Sequence, residues 1–161
     1  AAKADPLLHY LRYGWQEGRD PAPDGTAKLL RPGLADTRLG IGLLDWADRA
    51  LPSFQEAFLV KDPRMAFAAM IDRNGYLPVH NKIYSHPQRP GDVSWNTANC
   101  RNRRIFNDRA GLAAAQNQRS HLIQSYPRDM GNGKTIMMRE IDVPIRIGDR
   151  HWGGFRTAYK L

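Results

Sequence analysis

The chain predicts an α+β domain: one or two N-terminal helices, then a mainly antiparallel sheet of about five strands, with helices in the middle connection. Three observations carry this. Residues 135–147 (TIMMREIDVPIRI) and 151–159 are extended runs flanking Gly148-Asp149, the pattern of a β-hairpin. Residues 65–71 (MAFAAMI) are apolar throughout, as a central strand would be, and lead into Asp72-Arg73-Asn74-Gly75, a strong tight-turn signal. Residues 36–50 place Leu39, Leu43, Leu44, Trp46 and Ala47 on an amphipathic helix with Asp36 as its cap.

Taken in order, Asp5 and Pro6 mark the N-cap and first position of a short helix whose stripe is Leu7, Leu8, Leu11 and Trp15. Pro21, Pro23, Gly25, Pro32 and Gly33 then make a linker, so residues 1–33 form an appendage with a possible docking helix and residues 34–161 the domain. After the helix over 36–50, Pro52 opens a second, shorter one that ends at Lys61-Asp62-Pro63. Beyond the apolar strand, residues 76–79 form a short strand that Pro78 confines to an edge or end. Residues 81–96, with Pro87, Pro90 and Gly91, form a long polar loop of the kind that covers sites. A short helix near 111–117, a strand over 121–126 and a turn at Gly131-Asn132-Gly133 complete the path to the hairpin. Gly153-Gly154 inside the last strand marks a bulge, or a close approach by another backbone or a ligand.

Composition narrows the function. The 161 residues carry 24 Lys plus Arg against 16 Asp plus Glu, a formal net charge of +8. The basic residues run along the whole chain and are densest at Arg101, Arg103, Arg104 and Arg109, which favours a solvated basic face or an anion site. No nucleic-acid-binding module accompanies the charge, so nucleic acid is not an expected partner. Cys100, the single cysteine, rules out an internal disulfide and a multi-cysteine zinc site. No run reaches the roughly 18–20 apolar residues of a membrane-spanning helix, and the first residues lack the order of a signal peptide. No nucleophile–base pair, paired-carboxylate motif, hydrolase elbow or phosphate loop is recognisable, so the reading is non-catalytic.

The segments MAFAAMIDRNGYLPVHN, ANCRNRRIFNDRAGLAAAQNQ and QSYPRDMGNGKTIMMREIDVPIRIGDRHWGGFRTAYKL resemble the PAS-like, Cache-type sensor domain of bacterial methyl-accepting chemotaxis proteins. The resemblance covers roughly residues 51–161, through DRNGYLPVHN, NRRIFND, YPRDMG, VPI and RHWGGFR in that order. It implies a long N-terminal helix beside a five- or six-stranded antiparallel sheet, a ligand pocket between sheet and connecting helices, a sensory role and often a dimer. Some relatives attach a c-type haem through Cys-x-x-Cys-His. Here the corresponding residues are Cys100-Arg101-Asn102-Arg103-Arg104, with arginine where the second cysteine and the histidine would stand, so no haem or other cofactor is expected. Non-covalent haem would need His80, His86, His121 or His151, each of which is more simply a packed or solvated histidine.

The candidate ligand-binding residues are Tyr76, His80, Asn81, Arg103, Arg104, Tyr126, His151 and Trp152. An arginine of the Arg103-Arg104 pair facing inward would hold a carboxylate or phosphate with two parallel bonds. The competing role is an internal ion pair with Asp108 or Asp129. Tyr126, Arg128 and Asp129 end a strand, with Arg128-Asp129 favoured as a structural pair. His151 offers protonation near neutral pH; Trp152 favours the core, with its N–H finding a partner. Tyr76, His80 and Asn81 flank the long loop and either close over a ligand or cap the strand. Cys100 is either an inert buried thiol or one activated by its arginines.

The expected function is a sensory domain of a chemoreceptor-type signalling protein. It would bind a small anionic ligand and relay it through the N-terminal helix, with the receptor's signalling domains, and a second copy in a homodimer, as partners. The alternative is a protein-docking module that uses the basic surface and the N-terminal helix. The chain ends directly after its last strand, which favours the cytoplasmic face of a bacterial receptor over a periplasmic placement.

Overall fold

This computed structural model describes the backbone of residues 38–161 and the side chains from residue 47 onward. The expected appendage, with Leu7, Leu11 and Trp15, and the cap at Asp36 lie outside the described residues.

The first described element, α1 (Arg38–Lys61), is one continuous helix that runs through Pro52 rather than two helices meeting there. A proline inside a helix removes one backbone hydrogen bond and crowds the preceding turn. Packing outweighs this. Ala47, Leu51 and Gln55, four residues apart, are all buried on one face, where Ala47 and Leu51 meet Val79 and Met70. Ser53 Oγ donates to the Ala50 carbonyl at 2.7 Å, within the turn that the proline disturbs.

The strands are β1 (Met65–Asp72), β2 (Tyr76–Leu77), β3 (Arg104–Ile105), β4 (Leu122–Asp129), β5 (Thr135–Ile147) and β6 (Arg150–Lys160). They form a four-stranded antiparallel sheet in the order β1-β6-β5-β4 and a separate two-stranded ribbon of β2 and β3. The single sheet of about five strands is thus a sheet of four plus a ribbon of two.

β1 is the end strand of its sheet, not a central one. It reads as central because both its faces are covered: Phe67, Ala69 and Ile71 enter the main core, while Met70 packs on α1. Its outer edge is closed by side-chain amides instead of a fifth strand. The Ala68 N–H donates to Asn81 Oδ1 (2.8 Å) and the Met70 N–H to Gln55 Oε1 (3.1 Å). Gln55 Nε2 then donates to the Val79 carbonyl at 3.2 Å.

The connection over 81–96 is not a plain loop. It holds a 3-10 turn, Lys82–Tyr84, and the start of helix α2 (Val93–Asn99). Asp92 caps α2 by accepting from the Trp95 N–H, and Asp108 caps α3 (Arg109–Gln116) by accepting from Ala110 and Gly111. Two prolines and a glycine in a short polar stretch hide a helix of seven residues from any periodicity argument. The hairpin turns at Gly148, with φ +56°. Its register shift leaves Trp152 as the additional residue, just before the glycine pair. Gly153 and Gly154 serve close approach: a Cβ would strike the Ile71–Asp72 backbone at the first and the Ala114 carbonyl at the second.

Candidate functional site: an arginine-lined cavity

Side chains alternate along a strand, so alternate residues share one face. On the face turned toward the connecting helices, β4 carries Gln124, Tyr126 and Arg128, β5 carries Met138, Glu140 and Asp142, and β6 carries Arg156. The 2.8–3.0 Å contacts from Gln124 to Glu140 and Asp142, and from Arg156 to Glu140, fix this shared side. Across from them stand His80 after β2, Arg101 after α2 and Phe106 after β3. Between the two groups lies a cavity of about 270 Å³, also lined by Phe67, Leu77, Asp108, Pro127 and Asp129. Asp108, Pro127 and Asp129 are exposed and form its mouth.

The three arginines differ in what neutralises them. Arg156 is 4% exposed, and its Nη2 donates to both Glu140 oxygens, at 2.9 and 2.8 Å. Burial works against its charge, but Glu140, Tyr126 and Asp142 outweigh burial and hold it firmly protonated. Arg101 has carbonyls rather than carboxylates: its Nη1 donates to Thr97 O at 2.9 Å and Asp129 O at 3.3 Å. Burial, with Arg128 and Arg104 nearby, pulls it down to about 9. Arg128 is 3% exposed, and its Nε and Nη2 have no hydrogen-bond partner among the described residues. Its guanidinium lies 4.2 Å from the Tyr84 ring and 5.5 Å from that of Phe67.

The surrounding groups register the same excess of positive charge. His80 is held well below its usual range by burial and then by Arg101, Arg128 and Arg156, so it is neutral. Its Nδ1 accepts the Asn81 N–H at 2.8 Å, which leaves the proton on Nε2. Burial pushes the Tyr126 hydroxyl up to about 12, leaving it a neutral donor. Asp142, fully buried, is raised to about 7 by burial and by neighbouring Glu140.

Of the sequence candidates, His80 and Tyr126 line the cavity. Asn81 stands behind His80 and holds the β1 edge. Tyr76 is buried in the β2–β3 ribbon. Arg103 adopts φ +60° and binds Asp48 at 2.6 Å and the Pro78 carbonyl, so its partner is neither Asp108 nor Asp129. Arg104 is partly buried in β3 and its charge is weakened by burial. His151 lies with Arg73, Asn74, Gln116, Gln118 and Arg150 around a separate, open depression of about 730 Å³. Trp152 is buried at 5% exposure, and its Nε1 has no hydrogen-bond partner among the described residues, unlike the expectation of a paired N–H. Cys100 is buried, its thiol pushed up by burial in spite of Arg104 and Arg89. That is the inert reading.

Arg101, Arg128 and Arg156 are the residues that sequence reasoning did not select. Arg128 is not paired with Asp129: the two project to opposite sides of β4, one buried and one exposed. The signal available was the parity of LIQSYPRD, which puts Gln124, Tyr126 and Arg128 on one face. Nothing in the sequence said that this polar face is the buried one. No protein-family model matches the chain, and no curated protein matches it.

Proposed function

We propose that residues 34–161 are a non-catalytic sensory domain, PAS-like and Cache-type, of a chemoreceptor-type signalling protein, and that its ligand is a small organic anion held in the arginine cavity. The observation that carries this is Arg128, a buried guanidinium with two unpartnered nitrogens on the wall of a cavity. A buried charge without a partner is destabilising by several kcal/mol, so a site that retains one is set up for an anion to complete. Strongly perturbed groups gathered in one cleft support the same reading.

The path out of the cavity supports a relay through the N-terminal helix. His80 on the cavity wall precedes Asn81, whose Nδ2 donates to Glu56 of α1 at 3.2 Å, and Glu56 also accepts the Lys82 N–H at 2.9 Å. Gln55 of the same helix ties β1 to Val79. An anion drawing on His80 and Arg128 would bias how α1 sits against β1, with the receptor's own signalling domains, on the cytoplasmic side, and a second copy of the chain as recipients.

Thermal unfolding with a panel of organic anions tests this. At 100 times its dissociation constant a ligand adds about 2.7 kcal/mol, a clear rise in midpoint for the wild type and none for Arg128→Gln. Equal midpoints across the panel for both proteins would sink the reading. A docking module is the second reading, favoured by the apolar residues left exposed on the opposite face of the sheet, Ile123, Met137, Ile141 and Val143.

A further inference from the structure

We infer that the occupant is a short dicarboxylate rather than a monocarboxylate or an amino acid, an inference that rests on the sensory reading and narrows it. The cavity's arginines and their partners carry it. Three guanidinium groups line it. Arg156 is matched by Glu140, at 2.8 Å. Arg128 and Arg101 have no carboxylate partner among the described residues: the first has two unpartnered nitrogens and the second meets only the carbonyls of Thr97 and Asp129. Two guanidinium groups are therefore left without a carboxylate bonded to them, one on β4 and one after α2, on separate segments of the wall. The carboxylates of Asp108 and Asp129 stand at the exposed mouth.

The same lining disfavours a zwitterion. Its ammonium group would need a carboxylate deep in the cavity, and the only ones among the described residues that line it, Asp108 and Asp129, stand at its exposed mouth. Glu140 accepts from Arg156 and Gln124, Asp142 Oδ2 accepts from Gln124, and neither residue lines the cavity. Asp108 Oδ1 accepts from Ala110 and Gly111, Asp129 Oδ1 accepts from Gly131, and both residues are exposed at the mouth. Size and lining fit a short chain. About 270 Å³ holds roughly nine water-sized groups at about 30 Å³ each. Phe67, Leu77 and Phe106 offer an apolar wall for methylenes between the two carboxylates.

The test is isothermal titration of the full chain at pH 7 with malonate, succinate, glutarate, butyrate, 4-aminobutyrate and sulfate. Succinate and butyrate differ by one carboxylate, succinate and 4-aminobutyrate by carboxylate against ammonium. The expected result is that one dicarboxylate binds at least about tenfold tighter than butyrate, 4-aminobutyrate and sulfate, the scale of one charge-assisted contact. Arg101→Gln should then bring dicarboxylate and butyrate to within about threefold of each other, whereas Arg128→Gln removes binding of both. Arg128→Lys, which keeps the charge without the planar fork, guards against a fold defect and should weaken binding without abolishing it.

Butyrate or 4-aminobutyrate binding as tightly as every dicarboxylate, with Arg128→Gln still abolishing it, would overturn the dicarboxylate and leave the anion sensor standing. Sulfate binding tightest would replace the dicarboxylate with a compact inorganic dianion. No heat from any of the six, with Arg128→Gln as stable as the wild type, would overturn both.

Discussion

Along β4 and β5 the two faces of the main sheet invert the usual arrangement, whereas β1 keeps it, with Phe67, Ala69 and Ile71 turned to the core. On an ordinary one-sided sheet, apolar residues face the core and polar residues face water. Along β5 the buried positions are Met138, Glu140 and Asp142, while Met137, Ile141 and Val143 are exposed. β4 repeats this, with Arg128 buried and Ile123 57% exposed. α1 meets part of the outer face, where Phe58 packs against Phe155 at 4.8 Å between ring centroids. The inner face instead carries Gln124, Tyr126, Arg128, Glu140, Asp142 and Arg156 beneath the connecting segment. A fold selected for stability alone would place these residues the other way round. The difference fits the proposed anion site on the buried face, where Arg156 is matched by Glu140 and Arg128 has two unpartnered nitrogens.

The largest change should come from breaking the matched pair. Glu140→Ala removes the carboxylate that accepts both Arg156 hydrogen bonds and leaves the buried guanidinium only Asp142, at 3.8 Å, a loss of about 3–5 kcal/mol, to be read as a lower urea midpoint with unchanged slope. Arg128→Met should go the other way. It gives up a cation–π contact worth about 0.5–2 kcal/mol and removes a buried charge without a partner. Desolvation is the larger effect, so the ligand-free protein should gain about 1–3 kcal/mol while losing anion binding. The opposite signs of these two substitutions separate the matched arginine from the unmatched one.

A smaller, pH-dependent effect belongs to Asp142. Its carboxyl sits at about 7 in the folded chain and at roughly 4 in an unfolded one, so the folded state holds its proton more tightly. Its contribution is therefore fully present below about pH 4 and is lost as pH rises through about 7. Asp142→Asn should flatten that decline in a series of urea midpoints from pH 4 to pH 8. Smallest of all, Ile141→Thr on the outer face should alter stability by no more than about 0.5 kcal/mol, and a larger loss would mean that face is covered in solution.

Local rules served well where they acted alone. The hairpin around Gly148 and the turn at Asn74-Gly75 follow from turn chemistry; the helix expected near 111–117 spans Arg109–Gln116, and the strand expected over 121–126 spans Leu122–Asp129. They failed where tertiary contacts took over. Pro52 is absorbed because Ala47, Leu51 and Gln55 share a buried face. β1 looks central because Gln55 and Asn81 complete its edge with side chains, which no pairing rule anticipates. The site was half legible. His80 and Tyr126 were found from their position beside turns, but the arginines that define the cavity lie at buried positions on charged strand faces, and alternation gives the phase without saying which phase is inside. Of the dense cluster Arg101, Arg103, Arg104 and Arg109, the candidates chosen were Arg103 and Arg104, whereas Arg101 is the one that reaches the cavity.

The measurement that tests the central claim most directly is the unfolding midpoint of the wild type and of Arg128→Met, each with and without a saturating short dicarboxylate. The account predicts that the variant is the more stable protein without ligand and is unmoved by ligand, while the wild type rises on adding it. A variant less stable than the wild type without ligand, and shifted by the dicarboxylate as much as the wild type, would contradict it and make Arg128 a structural residue.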